Sequence, residues 1–117
     1  MVYAHFLAQI RAAVTARGAV FGVACIPPRS LYEGDTPDRE VPTSRHAAVL
    51  DAPRRLGIPT LDLLSALSAP VDENAEPLTF AFDEHWTATG HRVAADAMIP
   101  FVADLLGKPA EAGFRRR

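Results

Sequence analysis

The sequence of 117 residues is poor in the features that define several protein classes. Cys25 is the only cysteine, so no disulfide can form within the chain, and its place in an apolar run predicts a buried, unreactive thiol. No apolar run approaches the ~18 residues that a membrane span needs, and we expect no signal peptide. The net charge of −2 gives no field that would attract nucleic acid or anionic lipid. We therefore expect a soluble chain that binds neither, in a compartment that the sequence leaves open.

The sequence also lacks the usual setting of a catalytic serine. It contains no Gly-x-Ser-x-Gly turn, the sharp turn that exposes a nucleophilic serine in many hydrolases. Its four serines stand in other contexts, namely Ser30, Ser44, Ser65 and Ser68. If this chain takes part in nucleophilic catalysis, we expect the nucleophile to come from elsewhere.

Hydrophobic periodicity predicts helices separated by short apolar strands. Apolar residues recur at helical spacing from Tyr3 to Val14, and Gly18 is suited to end that helix. The continuous apolar run at 19–26 predicts a strand that is buried on both faces. The run at 58–63 predicts a second short strand that leads into a helical turn. This order is typical of a parallel sheet with helical crossovers.

A second helix is predicted between the two strands. It follows a loop at 27–42 that is rich in proline and charge, and Thr43 is expected to cap it. The helix should reach about Leu56. Its predicted inner face consists of Ala47, Val49 and Leu50.

The last third of the chain completes the α/β pattern. An extended segment at 78–82 precedes a helix that Thr87 or Thr89 should cap. We expect residues 1–107 to form one domain and residues 108–117 to be a disordered basic tail. The alternation predicts a small parallel sheet with helices on its faces. Ligands of such sheets bind outside the carboxyl ends of the strands. The loop that starts at residue 27 and the turn that starts at residue 82 should therefore line one crevice.

The chemistry of the chain is concentrated in Phe82–His91. Asp83 lies two residues before His85, so its carboxylate can accept the Nδ1 proton and leave Nε2 to take a proton from a nucleophile. We expect Trp86 to form a wall of the site in contact with substrate. Arg29, in the loop after the first strand, is the candidate for meeting an anionic group. The sequence thus predicts catalytic residues Asp83 and His85 and substrate-binding residues Trp86 and Arg29.

The same side chains have plainer interpretations. Asp83 and His85 can form a structural Asx turn, and Arg29 can be a solvated loop residue. As metal ligands, His85 and His91 lie six residues apart across a helix start, which is not the i, i+4 spacing of a helical metal site. No fourth ligand is near in sequence. We therefore expect no metal and no cofactor.

The block Asp83–His91 resembles the last block of the SGNH (GDSL-like) hydrolases, in which Asp and His share a loop before the C-terminal helix. Its Asp-x-His-Trp form is similar to the branch that includes alginate-acetylation proteins. The segments Ile26–Arg29 and Gly57–Leu63 resemble the spacing of that family's later half. The resemblance implies a flavodoxin-like, three-layer α/β/α fold. This chain would form part of it, with the N-terminal strands missing.

The resemblance also implies a function. It would be ester hydrolysis or O-acyl (acetyl) transfer on a small-molecule or carbohydrate ester, with His85 as general base and Asp83 as its orienting carboxylate in a Ser-His-Asp triad. In the family the serine lies in a Gly-Asp-Ser block and the oxyanion donors in two further blocks, and none of these is present here. A missing N-terminal half, joined to this chain or provided in trans, would have to supply them. The other partner expected is a second copy of the chain in a homo-oligomer. The alternative is an inactive remnant that binds carbohydrate or docks with a partner chain.

Overall fold

The computed structural model describes residues 2–34 and 40–107, and within these ranges helices and strands alternate as predicted. The elements are α1 (Val2–Thr15), β1 (Val23–Cys25), a single 3-10 turn (Arg29–Leu31), α2 (Glu40–Arg55), β2 (Thr60–Asp62), α3 (Leu64–Leu67) and α4 (Ala88–Leu105). The tail predicted at 108–117 lies outside the described residues. The expected α/β fold with a small parallel sheet is confirmed.

The two strands pair in parallel, with Cys25 of β1 opposite Asp62 of β2. Flanking hydrogen bonds extend the ladder at both ends, because Val23 N donates to Pro59 O at 2.9 Å and Leu63 N donates to Cys25 O at 3.1 Å. Both strands therefore end at the same edge of the sheet. The loop after β1 and the turn into α3 leave from that edge.

The strand predicted at 19–26 is shorter and less covered than expected. Only Val23–Cys25 pairs, and the side chains of Val20 and Ile26 are 57% and 62% exposed. The prediction of burial on both faces is therefore wrong outside Cys25, which is buried. An apolar run cannot by itself show how far neighbouring helices extend over a sheet of two strands.

Helix α1 forms as predicted and packs against α2. It runs from Val2 to Thr15, and Gly18 follows it with a φ of +73°, in the left-handed region that glycine adopts at helix ends. Leu7 buries itself in a small core with Ala52 and Ile58. This core holds α1 and α2 beside the sheet.

Helix α2 differs from the prediction in its start and in its buried face. It begins at Glu40, so Thr43 lies inside the helix and is not its cap. Leu50 is buried as expected, but Ala47 and Val49 are exposed. The buried side instead carries His46, Leu50, Ala52 and Pro53. The prediction failed because it placed only apolar residues on the inner face. His46 takes an inner position instead, since it pairs with the Asp62 carboxylate.

Helix α4 is capped by Thr87, whose Oγ1 accepts a hydrogen bond from Gly90 N at 3.3 Å. Pro100 lies within the helix without ending it. Ala94 is 1% exposed and joins Leu67 in a second core cluster that reaches the hairpin described below. None of the helices in the described ranges is long and apolar enough to cross a membrane.

Candidate active site

Residues 78–87 form a short hairpin, here called the His85 hairpin, which leads directly into α4. The extended segment predicted at 78–82 contributes one isolated antiparallel bridge, Thr79 to Trp86, and no longer strand. Phe80 N donates to His85 O at 3.1 Å, and Thr87 N donates to Leu78 O at 2.9 Å. These bonds fix the base of the hairpin and leave its tip in solvent.

Asp83 and His85 lie together near the exposed tip. Asp83 Oδ1 is 3.3 Å from His85 Nδ1 and accepts a hydrogen bond from His85 N at 2.8 Å. The Asx turn and the side-chain pairing thus use the same carboxylate oxygen. The imidazole is 88% exposed and the Asp83 side chain 56%. An Nδ1 that faces a carboxylate leaves Nε2 as the nitrogen that can exchange a proton with a ligand.

The imidazole of His85 lines a cleft of about 380 Å³, here called the His85 cleft. The loop after β1 forms one side of the cleft, and the His85 hairpin with the start of α4 forms the other. The lining residues are Ile26, Pro27, Pro28, Arg29, Tyr32, Glu84, His85, Trp86 and His91. The two segments that the sequence was expected to bring to one crevice therefore meet. Three of the predicted site residues line this cleft, namely Arg29, His85 and Trp86. Asp83 does not line it and contacts His85.

Trp86 connects the two sides of the cleft. Its indole Nε1 donates a hydrogen bond to the Tyr32 hydroxyl oxygen at 3.2 Å. Its ring meets the ring of His91 edge-on, with centroids 5.5 Å apart and planes at 87°. The indole is half-buried, so it forms a wall and keeps a surface that a ligand can contact.

Arg29 is less solvated than a surface loop residue. Its side chain is 30% exposed, and its Nη2 is 3.8 Å from Glu33 Oε1. Its Nε is buried and makes no hydrogen bond with any residue in the part of the chain that the structure describes. Arg29 lines the cleft, where a guanidinium is suited to meet an anionic or carbonyl oxygen.

Comparison with known families decides the relationship. A sequence model of the SGNH hydrolase-like domain of the acetyltransferase AlgX matches residues 2–115. The chain belongs to this family. No curated protein and no solved structure matches it.

Membership in the SGNH hydrolase-like family confirms the resemblance that the Asp83–His91 block suggested. The match covers almost the whole chain and includes α1, which the resemblance had not used. It connects this chain with acyl-group chemistry, of the hydrolase or acetyltransferase kind. The roles of single residues stay predictions.

Sequence reasoning missed two residues that join the sides of the site: Tyr32, which lines the cleft, and its neighbour Glu33, which does not line it. Both lie in the loop that was described only as rich in proline and charge. The Tyr32 hydroxyl accepts the hydrogen bond of the Trp86 indole, and the Glu33 carboxylate accepts one from Leu78 N, at the start of the hairpin. Their partners are 54 and 45 residues away in sequence, so no local pattern could reveal them.

A second Asp-His pair lies next to the sheet. His46 Nε2 is 2.7 Å from Asp62 Oδ1, and the His46 side chain is 6% exposed. Asp62 Oδ1 also accepts a hydrogen bond from Leu64 N at 2.9 Å, at the start of α3. The pair therefore ties α2, β2 and α3 together.

Cys25 is buried beside this second pair. Burial raises the pKa of its thiol above the ordinary value of 9.0, the nearby Asp62 carboxylate raises it further, and Arg54 lowers it. The thiol therefore stays protonated near neutral pH and is a poor nucleophile. Among the described residues, no three His, Cys, Asp or Glu side chains group in a way that could hold a metal ion.

Proposed function

We propose that this chain contributes the general base and the orienting carboxylate of an acyl-transfer site that acts on ester groups. One observation carries the proposal. The exposed imidazole of His85 lies on a cleft of about 380 Å³ at the carboxyl end of β1, with Nδ1 3.3 Å from the Asp83 carboxylate. Family membership adds the class of chemistry, since SGNH hydrolase-like domains are associated with acyl groups.

In the proposed mechanism, His85 Nε2 takes the proton of a serine hydroxyl as that oxygen attacks the carbonyl carbon of the ester. Asp83 holds the tautomer with the proton on Nδ1 and stabilises the imidazolium that forms. The tetrahedral intermediate then expels the alcohol oxygen, which receives the proton from His85, and an acyl-serine remains. The acyl-serine is then attacked by a second oxygen nucleophile, from which His85 takes the proton before returning it to the serine oxygen. Attack by water gives hydrolysis, and attack by a sugar hydroxyl gives acyl transfer.

The serine and the oxyanion donors of this mechanism come from protein outside these 117 residues. The chain has no Gly-Asp-Ser motif, and removing a triad serine or its oxyanion donors costs orders of magnitude in rate. The partner is thus another segment of the same domain or another chain. The substrate is a small-molecule or carbohydrate ester, with Trp86 as the wall against which it lies and Arg29 as the donor to one of its oxygens.

The tautomer of His85 tests the pair directly. In alkaline solution, where imidazole is neutral, the ring-nitrogen chemical shifts of His85 should report the proton on Nδ1. Asp83→Asn should move it toward Nε2, the form that free histidine prefers. His5, an exposed histidine of α1, provides an internal reference in the same spectrum. A tautomer of His85 that is the same with and without the Asp83 carboxylate would show that the pair does not orient the base.

Ester hydrolysis tests the reactive imidazole and the missing nucleophile. The chain alone should cleave p-nitrophenyl acetate slowly and without an initial burst, and His85→Ala should lower that rate several-fold. His5→Ala is the matched control and should leave it nearly unchanged. If both variants behave alike, His85 has no special reactivity. Fluorophosphonate labelling of a serine in this chain would overturn the assignment of the nucleophile to another segment.

The absence of a recognised nucleophile favours a second candidate, a non-catalytic domain that binds carbohydrate in the same cleft. The half-buried indole of Trp86 would then stack on a sugar ring. Fluorophosphonate labelling of the assembled protein separates the two functions, because a triad enzyme is modified at its serine and a binding domain stays unmodified.

A further inference from the structure

A single carboxylate in the loop after β1 holds the His85 hairpin from the opposite side of the cleft. Glu33 Oε2 accepts a hydrogen bond from Leu78 N at 2.9 Å. Its Oε1 accepts hydrogen bonds from Thr79 N at 3.3 Å and from Thr79 Oγ1 at 2.7 Å. Three donors of the hairpin thus converge on one side chain, and such charge-assisted bonds are stronger than bonds between neutral groups.

The residues that Glu33 holds are the ones that set the place of His85. Thr79 is 2% exposed and forms the hairpin's bridge with Trp86, the neighbour of His85. Leu78 O accepts the hydrogen bond from Thr87 N, at the point where the hairpin becomes α4. A shift of the 78–79 backbone would therefore move both the base of the hairpin and the ring that it carries.

The same carboxylate also lies beside the other wall of the cleft. Glu33 Oε1, which accepts from Thr79, is 3.8 Å from Nη2 of Arg29. Tyr32, the preceding residue, accepts the hydrogen bond of the Trp86 indole. One short segment therefore carries the guanidinium that lines the cleft and the two side chains that bind the opposite hairpin, namely Arg29, Tyr32 and Glu33. The distance from the guanidinium to the imidazole depends on this segment.

We propose that Glu33 is a positioning residue, which docks the His85 hairpin on the 3-10 turn so that the base and Arg29 line one cleft. Its consequence for catalysis rests on the function proposed above for His85, while the docking itself does not. A residue that merely stabilised the fold would protect all parts of the chain to the same degree. A positioning residue protects the hairpin selectively.

Hydrogen exchange measured by NMR on the folded chain distinguishes these two roles. In Glu33→Gln, one of the two oxygens becomes an amide nitrogen and no longer accepts from a hairpin N–H. We expect Thr87 N–H and the Trp86 indole N–H to exchange at least tenfold faster than in the unaltered chain. Amides of α1 around Leu7 lie in the other core and should change less than twofold. Equal acceleration in both regions, or none in the hairpin, would overturn the proposal.

Thr79 provides the second variant and a matched pair. Thr79→Val keeps the shape of the buried side chain and removes the hydroxyl that donates to Glu33, whereas Thr79→Ser keeps the hydroxyl. Valine should accelerate exchange in the hairpin severalfold, and serine should restore most of the protection. In the double variant with Glu33→Gln, the two accelerations should be less than multiplicative, because both remove the same contact. Fully multiplicative effects would argue against a shared contact.

These outcomes are independent of the function proposed for His85. If Glu33→Gln loosens the hairpin but His85 shows no carboxylate-dependent tautomer, the docking role stands and the general-base role fails. If the tautomer depends on Asp83 but hairpin exchange does not respond to Glu33, the general-base role stands and the positioning role fails. The Asp83–His85 contact lies within the hairpin tip, so Glu33→Gln should leave the tautomer unchanged.

Discussion

Gly90 is the position where a single added methyl group should disturb the candidate site most. It lies in the first turn of α4, and a Cβ there would be 2.2 Å from Leu78 O and 2.9 Å from Trp86 Cβ. Both neighbours belong to the His85 hairpin, and the nearer one is a backbone atom that cannot rotate away. The hairpin and the helix would have to separate by about 1 Å, since overpacking is relieved by backbone shifts.

The expected cost of Gly90→Ala is about 1–3 kcal/mol of unfolding free energy from overpacking, with about 1 kcal/mol more for a weakened Thr87 N to Leu78 O bond. The higher helix propensity of alanine offsets up to about 1 kcal/mol of this. The net loss should therefore be about 1–3 kcal/mol. Urea denaturation gives the loss, and the fluorescence of Trp86, the only tryptophan, reports the hairpin.

Gly22→Ala is the matched control for this experiment. The added Cβ would meet Leu105 Cδ1 at 2.7 Å and Phe101 Cζ at 3.0 Å, which are the far ends of side chains that can adjust. Gly22 lies just before β1, away from the hairpin, so the control should leave Trp86 emission unchanged. If Gly90→Ala changes neither stability nor Trp86 emission, the close packing of hairpin against helix is not what holds the site.

Three further predictions concern other parts of the chain. His46→Ala should lower the unfolding free energy by about 1–3 kcal/mol in urea titrations, because it leaves the Asp62 carboxylate without its histidine partner. An unchanged urea midpoint would contradict the structural role of this pair. Cys25 should react with a thiol reagent at pH 8 much more slowly in the folded chain than in urea. Because the pKa of Cys25 is raised above 9.0 in the folded state, its contribution to stability should be complete below pH 9.0 and should be lost as pH rises through the folded-state pKa. Tyr32→Phe should cost about 1 kcal/mol in urea titrations through the lost bond from the Trp86 indole. Trp86→Phe should cost more, because it also removes ring packing against His91, and the double variant should cost less than the sum of the two, since both remove the same bond.

Sequence reasoning located the candidate pair because its elements are local. Asp83 and His85 are two residues apart, and Thr87 caps the next helix through a bond to Gly90, three residues on. Such short-range chemistry is visible in a linear pattern. The boundaries of α1 and the parallel pairing followed equally from periodicity and from the order of elements.

The remainder of the site depends on contacts that no local pattern encodes. Glu33 looked like one of several charged residues in a long loop, yet its carboxylate accepts three hydrogen bonds from the hairpin. His46 was not part of the inner face predicted for α2 and is nevertheless buried against Asp62. In both cases a distant partner compensates the burial of a polar group, and that partner determines which face turns inward.

The long sequence separation across the cleft has a consequence for how the chain folds. The bonds that join its two sides link residues 45 and 54 positions apart, whereas the helices form from neighbours three and four positions apart. Because closing a long loop costs entropy, the bonds across the cleft are delayed until much of the chain is already compact. During refolding, helical signal should therefore return before the environment of the single indole does. The cleft would be the last region to mature, and a short-lived intermediate with formed helices would not yet be able to bind a ligand there.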